Sequence, residues 1–311
     1  MIIVFGSLYM QLLADVEQLP KQAQNLKAPQ LRYFPGGKAG NQAFAAARMG
    51  EKVAVVGCVG NDDFGHEITD NLKKNGVMTS GVARLPKPTG TWITLKNKNG
   101  ERQYITYAGA NEKISDEQVP DEILNAGNYV LVQMSDSSDA VFKLLARAKA
   151  QGCKTILNMS PVIELSSDIL KNIDMLVLNS REAEKIAKSL KLSGENIDVQ
   201  IARALSKGGK ITVIVTSGEN GSIAIQENGK GYRVPSYRLE DDQIVESVSA
   251  GDCYCGTLVA CLHKGDDLDK AMRYASVAAS LSIREEGAQS SFPFRADVDE
   301  HIDQIAGATP L

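Results

Sequence analysis

The sequence predicts an α/β fold: a central, mostly parallel sheet flanked by helices on both faces, with a small β-sheet lid. Three observations lead there. Short runs rich in aliphatic and β-branched residues recur between helical patterns. Those runs are apolar throughout rather than alternating, as strands covered on both faces are. One segment, near residues 91–107, alternates at period two instead and reads as a half-exposed hairpin. A chain of 311 residues can form one large α/β domain, taken here as residues 1–311 with the lid inserted in it.

In chain order, the strands are Ile2 to Phe5, Val53 to Val56, Val130 to Val132, Thr155 to Leu157, Met175 to Leu178 and Ile211 to Val215. Between them lie helices: Ala-rich Asn41 to Met49, His66 to Asn75, Ala140 to Gln151 with apolar spacings of three and four, and Arg181 to Leu190. Thr91 to Leu95 and Gln103 to Tyr107 flank Asn97-Lys98-Asn99-Gly100, where Asn-Gly favours a type I′ hairpin turn. Leu12 to Phe34 is too polar for a core helix. With the hairpin it forms the lid, at about residues 12–34 and 91–107, or else an edge extension of the main sheet. Lid edges that pair between two copies remove an aggregation hazard, so a homodimer through the lid is expected.

Composition narrows the function. At 43% hydrophobic and 23% charged the chain is neither disordered nor fibrous. Lys and Arg total 34 against 38 Asp and Glu, so neither nucleic acid nor an anionic membrane is the expected partner. A small molecule is. Met1 to Gly6 lacks a basic leader, and no apolar run approaches the roughly 20 residues of a membrane helix, so a soluble, cytoplasmic protein is expected. The odd number of cysteines, five, without Cys-x-x-Cys, reads as reduced thiols, and the three scattered histidines suit neither a zinc site nor a His triad.

Four clusters carry chemistry. Gly36-Gly37-Lys38-Ala39-Gly40-Asn41 precedes the Ala-rich helix: glycines let backbone amides approach a ligand, and Lys38 and Asn41 can bind hydroxyl or phosphoryl oxygens, though a tight loop explains it too. It is not a Walker A loop. Ser249-Ala250-Gly251-Asp252 opens the helix Cys253 to His263, which suits an anion hole with a carboxylate beside it, or a plain N-cap. Asp252 there can accept the proton of an attacking hydroxyl. Asn179-Ser180-Arg181-Glu182 follows a strand, where Asn179 and Glu182 can help hold a hydrated Mg²⁺ or simply cap a helix. Thr216-Ser217-Gly218-Glu219-Asn220-Gly221 contacts nucleotide phosphates or turns the chain.

The order and spacing of these clusters resemble the ribokinase, or PfkB, family of carbohydrate kinases, from Phe5-Gly6-Ser7 to Phe292-Pro293. The most specific stretches are Gly36 to Ala43, Gly57 to Gly65, and Ala250-Gly251-Asp252 with Gly256. The resemblance implies a ribokinase-like fold and assigns Asp252 as base with the amides of Ala250, Gly251 and Asp252 as anion hole. It places Gly36, Gly37, Lys38 and Asn41 along a sugar, and Thr216, Ser217, Gly218, Gly221, Gly251, Asn179 and Ser276 around ATP. Asn179 and Glu182 match an Asn-x-x-Glu element associated indirectly with Mg²⁺. Backbone oxygens that hold a monovalent cation in many relatives correspond to Glu246, Val248, Ser282, Glu285, Gly287 and Ser291, which leaves K⁺ activation open.

The departures concern the substrate. Ribokinases carry Gly-Ser-x-Asn-x-Asp after the first strand; this chain has Gly6-Ser7-Leu8-Tyr9-Met10-Gln11, and a further family acid is replaced by Ser135. A carboxylate accepting hydroxyl protons contributes about 1.5–3 kcal/mol. Two losses weaken ribose binding by about two to four orders of magnitude unless Gln11, Tyr9 or Asp136 compensates. Ser249 stands where the anion-hole motif usually has Gly, and Cys253 is either a small helical residue or a thiol of lowered pKa. The expected activity is ATP-dependent phosphorylation of a primary hydroxyl of a small carbohydrate or sugar-like alcohol, free ribose being a doubtful substrate, with the lid excluding water. The alternatives are a nucleoside kinase of the same family and a catalytically silent ligand-binding protein on the kinase fold.

Overall fold

A computed structural model describes residues 1–134, 137–163 and 166–311; Ser135 and Asp136 lie outside the described residues. Along the chain come β1 (Ile2–Phe5), β2 (Tyr9–Val16), β3 (Gln30–Gly36), α1 (Lys38–Arg48), β4 (Val53–Gly60), α2 (Asp63–Lys74), β5 (Met78–Leu85), β6 (Thr91–Asn97), β7 (Arg102–Tyr107) and β8 (Tyr129–Gln133). There follow α3 (Ser138–Ala150), β9 (Lys154–Asn158), α4 (Ser167–Leu170), β10 (Met175–Asn179), α5 (Ser180–Ser189), α6 (Ile197–Gly209), β11 (Thr212–Thr216), β12 (Ser222–Ile225), β13 (Gly231–Val234), α7 (Ala250–Lys264), α8 (Leu268–Leu281), α9 (Arg295–His301) and β14 (Thr309–Pro310).

The six apolar runs all become neighbours in one sheet of ten strands, ordered β14-β13-β12-β11-β10-β9-β8-β1-β4-β5. Every pair from β11 to β5 is parallel, and β12, β13 and β14 add an antiparallel margin. Burial on both faces explains the unbroken apolar runs. One face packs on α1, α7 and α8 through Phe44, Leu258 and Met272, and the other on α3, α5 and α6 through Leu144, Ala183 and Ile201.

The lid is a separate sheet of four strands, ordered β3-β2-β6-β7, and not an edge extension of the main one. It begins at Tyr9 rather than Leu12, because β2 leaves the main sheet directly after Leu8. The hairpin forms, but its turn is not type I′. Gly100 alone among the turn residues has positive φ, 81°, and its N–H donates to Asn97 O at 2.9 Å. That is a type I turn with a left-handed glycine after it. Asn97 selects it: its side-chain oxygen accepts from the N–H of both Asn99 and Glu101, at 3.0 Å each.

Two glycines set the site. Gly37, at φ 89°, caps α1 with its α-carbon against the chain of residues 7–9, where a Cβ would stand 2.5 Å from Ser7 O. Gly256 lets α7 lie on α1, since a Cβ there would come within 2.3 Å of Gln42 O. Gly256→Ala is therefore expected to force α1 and α7 apart and to cost about 2 kcal/mol. Thermal unfolding checks it, and an unchanged Tm would show that these helices do not pack this tightly.

Candidate active site

The parallel strands end on one edge of the sheet, with Asn179 beside Thr216 and Gln133 beside Asn158. Open α/β sheets bind ligands at that edge. Over it, the first turns of α1 and α7 meet side by side. Asn41 donates to Asp252 Oδ2 and Gln42 to Asp252 Oδ1, both at 2.9 Å, so each carboxylate oxygen is held by an amide from the facing helix. The amides are themselves fixed: Gln133 donates to Gln42 Oε1 at 2.7 Å, Gln289 to Asn41 Oδ1 at 3.2 Å, and Asn71 to Gln289 Oε1 at 2.6 Å. Asp252 is 9% exposed and opens into a cavity of about 230 Å³.

The mouth of α7 has no side-chain cap. Among the described residues Gly251 N–H meets no acceptor, and Ala250 N–H has only a long 3.4 Å contact to Ser247 O. Asp252 N–H, expected in the anion hole, instead donates to Ser249 O at 3.0 Å. The reason is local: Ser249 adopts a left-handed φ of 69°, which tightens the first turn. Its hydroxyl offsets that strain by accepting from Asn41 at 3.2 Å. A Cβ on Gly251 would meet nothing within 4 Å, so the backbone faces open space there.

Of the residues expected along a sugar, Gln11, Gly37, Lys38, Asn41 and Asp252 line the cavity. Gly36 does not, although its strand partner Tyr9 does; Ser135 falls outside the described residues. Lys38 donates to Ser160 Oγ at 3.1 Å. Sequence reasoning gave no role to Gln42, Trp92, Tyr104, Asn158 or Ser160. Trp92 and Tyr104, in edge contact at 5.9 Å, reach the cavity from the lid, and Asn158 and Ser160 from the end of β9. Polar residues directly after a parallel strand were the available signal for the last two.

A second cavity, about 580 Å³, is lined by Thr216, Gly218, Gly221 and Ser276 with Ala250 and Gly251. Gly251 borders both cavities. Ser217 borders neither of them but lines a third cavity with Asn179, Gly218 and Gly251. Its hydroxyl donates to Asp198 Oδ2 at 2.8 Å, so it braces the turn, and Gly221 sits where a Cβ would strike Val234 O.

Asn179 and Glu182 form a capping box on α5, with Glu182 N–H on Asn179 Oδ1 at 3.0 Å and Asn179 N–H on Glu182 Oε2 at 2.8 Å. Both still line the first cavity, and one Glu182 oxygen stays uncommitted to the box. Among the described residues no cluster of three or more acidic, His or Cys side chains could cage a metal. The pair fits Mg²⁺ that arrives on phosphates with its own waters.

Among the K⁺ candidates, the acid Glu246 does not offer its side chain to an ion. Their segments are adjacent, Val245 and Glu246 N–H both donating to Ile283 O at 2.9 and 3.1 Å. Ser282 Oγ donates to Ala279 O at 2.8 Å and Ser291 Oγ to Gly287 O at 2.9 Å, bonds of the side chains and not of the backbone oxygens expected to hold the ion, while the Glu246 carboxylate meets the Arg102 guanidinium at 2.5 Å. An alkali ion with Glu246 as its acid would lie against that cation. Cys253 is a structural residue: burial pushes its thiol up to about 12. All five cysteines are buried and unbridged.

The pfkB family carbohydrate kinase model matches residues 1–295. The chain is 30% identical to the ribokinase of Bacillus subtilis over 305 residues, covering 96% of this chain and 98% of that protein. Among solved structures it resembles ribokinase from Thermotoga maritima, with a TM-score of 0.88 and 27% identity over 97% of this chain and 99% of the other. Arabidopsis thaliana ribokinase, solved with ribose and ATP, matches with a TM-score of 0.85 and 27% identity over 97% of this chain and 98% of the other. With Asp252, the helix mouth and both cavities on the same sheet edge, the chain belongs to the pfkB family of carbohydrate kinases and is a ribokinase-like sugar kinase.

Proposed function

We propose that this kinase transfers the γ-phosphoryl group of ATP to a primary hydroxyl of a small carbohydrate, with Asp252 accepting the hydroxyl proton. The observation that carries the reading is Gly251, whose backbone borders both the cavity of Asp252 and the cavity of Thr216, Gly218 and Ser276. A hydroxyl in the first and a phosphate chain in the second would meet at its N–H, where charge develops during transfer. The proton moves from the attacking oxygen to the carboxylate as the new O–P bond forms and the bond to ADP breaks. Asn41 and Gln42 hold the carboxylate for that step and donate only, so they do not compete for the proton. Mg²⁺ carried in with the nucleotide beside Asn179 and Glu182 would neutralise the outer phosphates. Trp92 and Tyr104 bring the lid over the cavity, which excludes the water that would otherwise be phosphorylated in the sugar's place.

A cavity near 230 Å³ suits one sugar ring better than a nucleoside, being smaller than the roughly 300–1,000 Å³ of drug-sized sites. With Gln11 where ribokinases carry an Asp, the ribose diol loses a charged acceptor. The outer lid strands β3 and β7 leave Leu31, Tyr33, Ile105 and Tyr107 between 44% and 55% exposed, an apolar margin that supports a lid-mediated homodimer.

Asp252→Asn should lower kcat by about a thousandfold or more while ATP affinity stays nearly unchanged. Coupled ADP-release kinetics and calorimetry check this, and a variant that keeps most of its turnover would remove Asp252 from the role of base. Gln11→Asp should raise kcat/KM for D-ribose by about tenfold or more, the worth of one charge-assisted bond; no gain would place the selectivity elsewhere. Ile105→Asp should convert a dimer to a monomer in sedimentation at micromolar concentration, whereas a monomeric wild type would sink the lid-mediated assembly.

A further inference from the structure

Glu246 sits three residues before the mouth of α7, on the loop that delivers Ala250 and Gly251 to the candidate anion hole. Its side chain is 4% exposed, and the group beside it is the Arg102 guanidinium, 17% exposed, with Nη1 at 2.5 Å from Oε1. The contact is one of charge rather than aligned hydrogen bonding, since among the described residues Oε1 has no well-angled donor. Arg102 does not come from the loop or from the main sheet. It opens β7, so the counter-charge of a buried acid on the loop leading into α7 is supplied by the lid. A second lid arginine makes a parallel tie: Arg32 on β3 pairs with Glu286 at 3.0 Å, on the segment that faces the Glu246 loop.

A carboxylate this buried, with no well-angled donor on Oε1, needs a counter-charge, and there are two ways to provide one: an ion from solution or a side chain of the protein. We propose that Arg102 is that cation in this kinase: it neutralises Glu246, positions the loop that leads into α7, and makes transfer independent of an alkali ion. Arg102 is a positioning residue, touching neither substrate cavity. Its effect reaches the reaction through the backbone of residues 246–251, in which Glu246 N–H is anchored to Ile283 O and Ser249 is held in its left-handed turn. The inference rests on the kinase reading only for the turnover it predicts.

The test compares wild type, Arg102→Ala and Arg102→Lys in about 100 mM KCl and in the same concentration of tetramethylammonium chloride, reading sugar-dependent ADP formation and calorimetric ADP affinity. Wild type and Arg102→Lys should change by less than about twofold between the salts, while Arg102→Ala loses about tenfold or more in tetramethylammonium and regains most of it in KCl. A merely structural arginine would not give rescue that selects for ion size. Wild type stimulated about fivefold or more by K⁺, or Arg102→Ala matching wild type in both salts, overturns the proposal. Soaking crystals of the wild type in thallium(I) supplies an arm that needs neither turnover nor a stable variant. No anomalous peak at Glu246 is expected, and a peak there refutes the assignment whether or not the kinase reading stands.

Discussion

Everything at this site depends on one contact, the closure of α7 onto α1 through Asp252. Two amides from one helix grip the two oxygens of a carboxylate from the other, and Gly256 lets the backbones come near enough to do it. The choice of amides has a chemical consequence. An arginine would hold the carboxylate as firmly, yet an adjacent positive charge makes a carboxylate a poorer proton acceptor. Asn41 and Gln42 fix its direction without adding charge. The outer amides, Gln133, Gln289 and Asn71, carry that order back to β8, the segment after α8, and α2.

Structural and ligand-facing roles coexist at the sheet edge. Asn179 and Glu182 close a helix and line a cavity at once, because a capping box uses only some of their polar atoms. Ser217, in contrast, gives its hydroxyl proton to Asp198, while Thr216, Gly218, Glu219 and Asn220 of the same turn line the second cavity. Where a helix start lacks a side-chain cap, as at α7, its first amides are left open to other partners.

What was legible in the sequence follows from how local each signal is. Unbroken apolar runs gave the central parallel strands, and Asp252, Asn179 and the Gly37 turn were visible because adjacent residues in one motif carry their chemistry. β5, Met78 to Leu85, was missed because a half-exposed edge strand with Ser80, Gly81 and Arg84 lacks an apolar run. β12 and β13 are four residues each and sit among glycines. The hairpin turn was misjudged since its geometry is set by the Asn97 side chain rather than by the Asn-Gly pair. Trp92 and Tyr104 read as ordinary alternating strand residues; only the placement of the lid over the sheet edge gives them a cavity to line.

That placement limits how the lid can move. At its root, Asn111 takes both the N–H and the carbonyl of Leu8 in hydrogen bonds of 2.9 Å, and Gly90 is packed so tightly that a Cβ would stand 2.2 Å from Asn111 Nδ2. Farther out, β7 is held by the ion pair of Arg102 with Glu246, both largely shielded from water. Leaving one partner of such a pair buried alone costs about 3–5 kcal/mol, whereas an exposed pair costs about 1 kcal/mol or less. An opening that broke the pair would return both charges to water, so its cost is below that of stranding one of them. The lid is thus tied to the Glu246 loop through β7, whereas the connection between β2 and β3 is mostly exposed over residues 17–29.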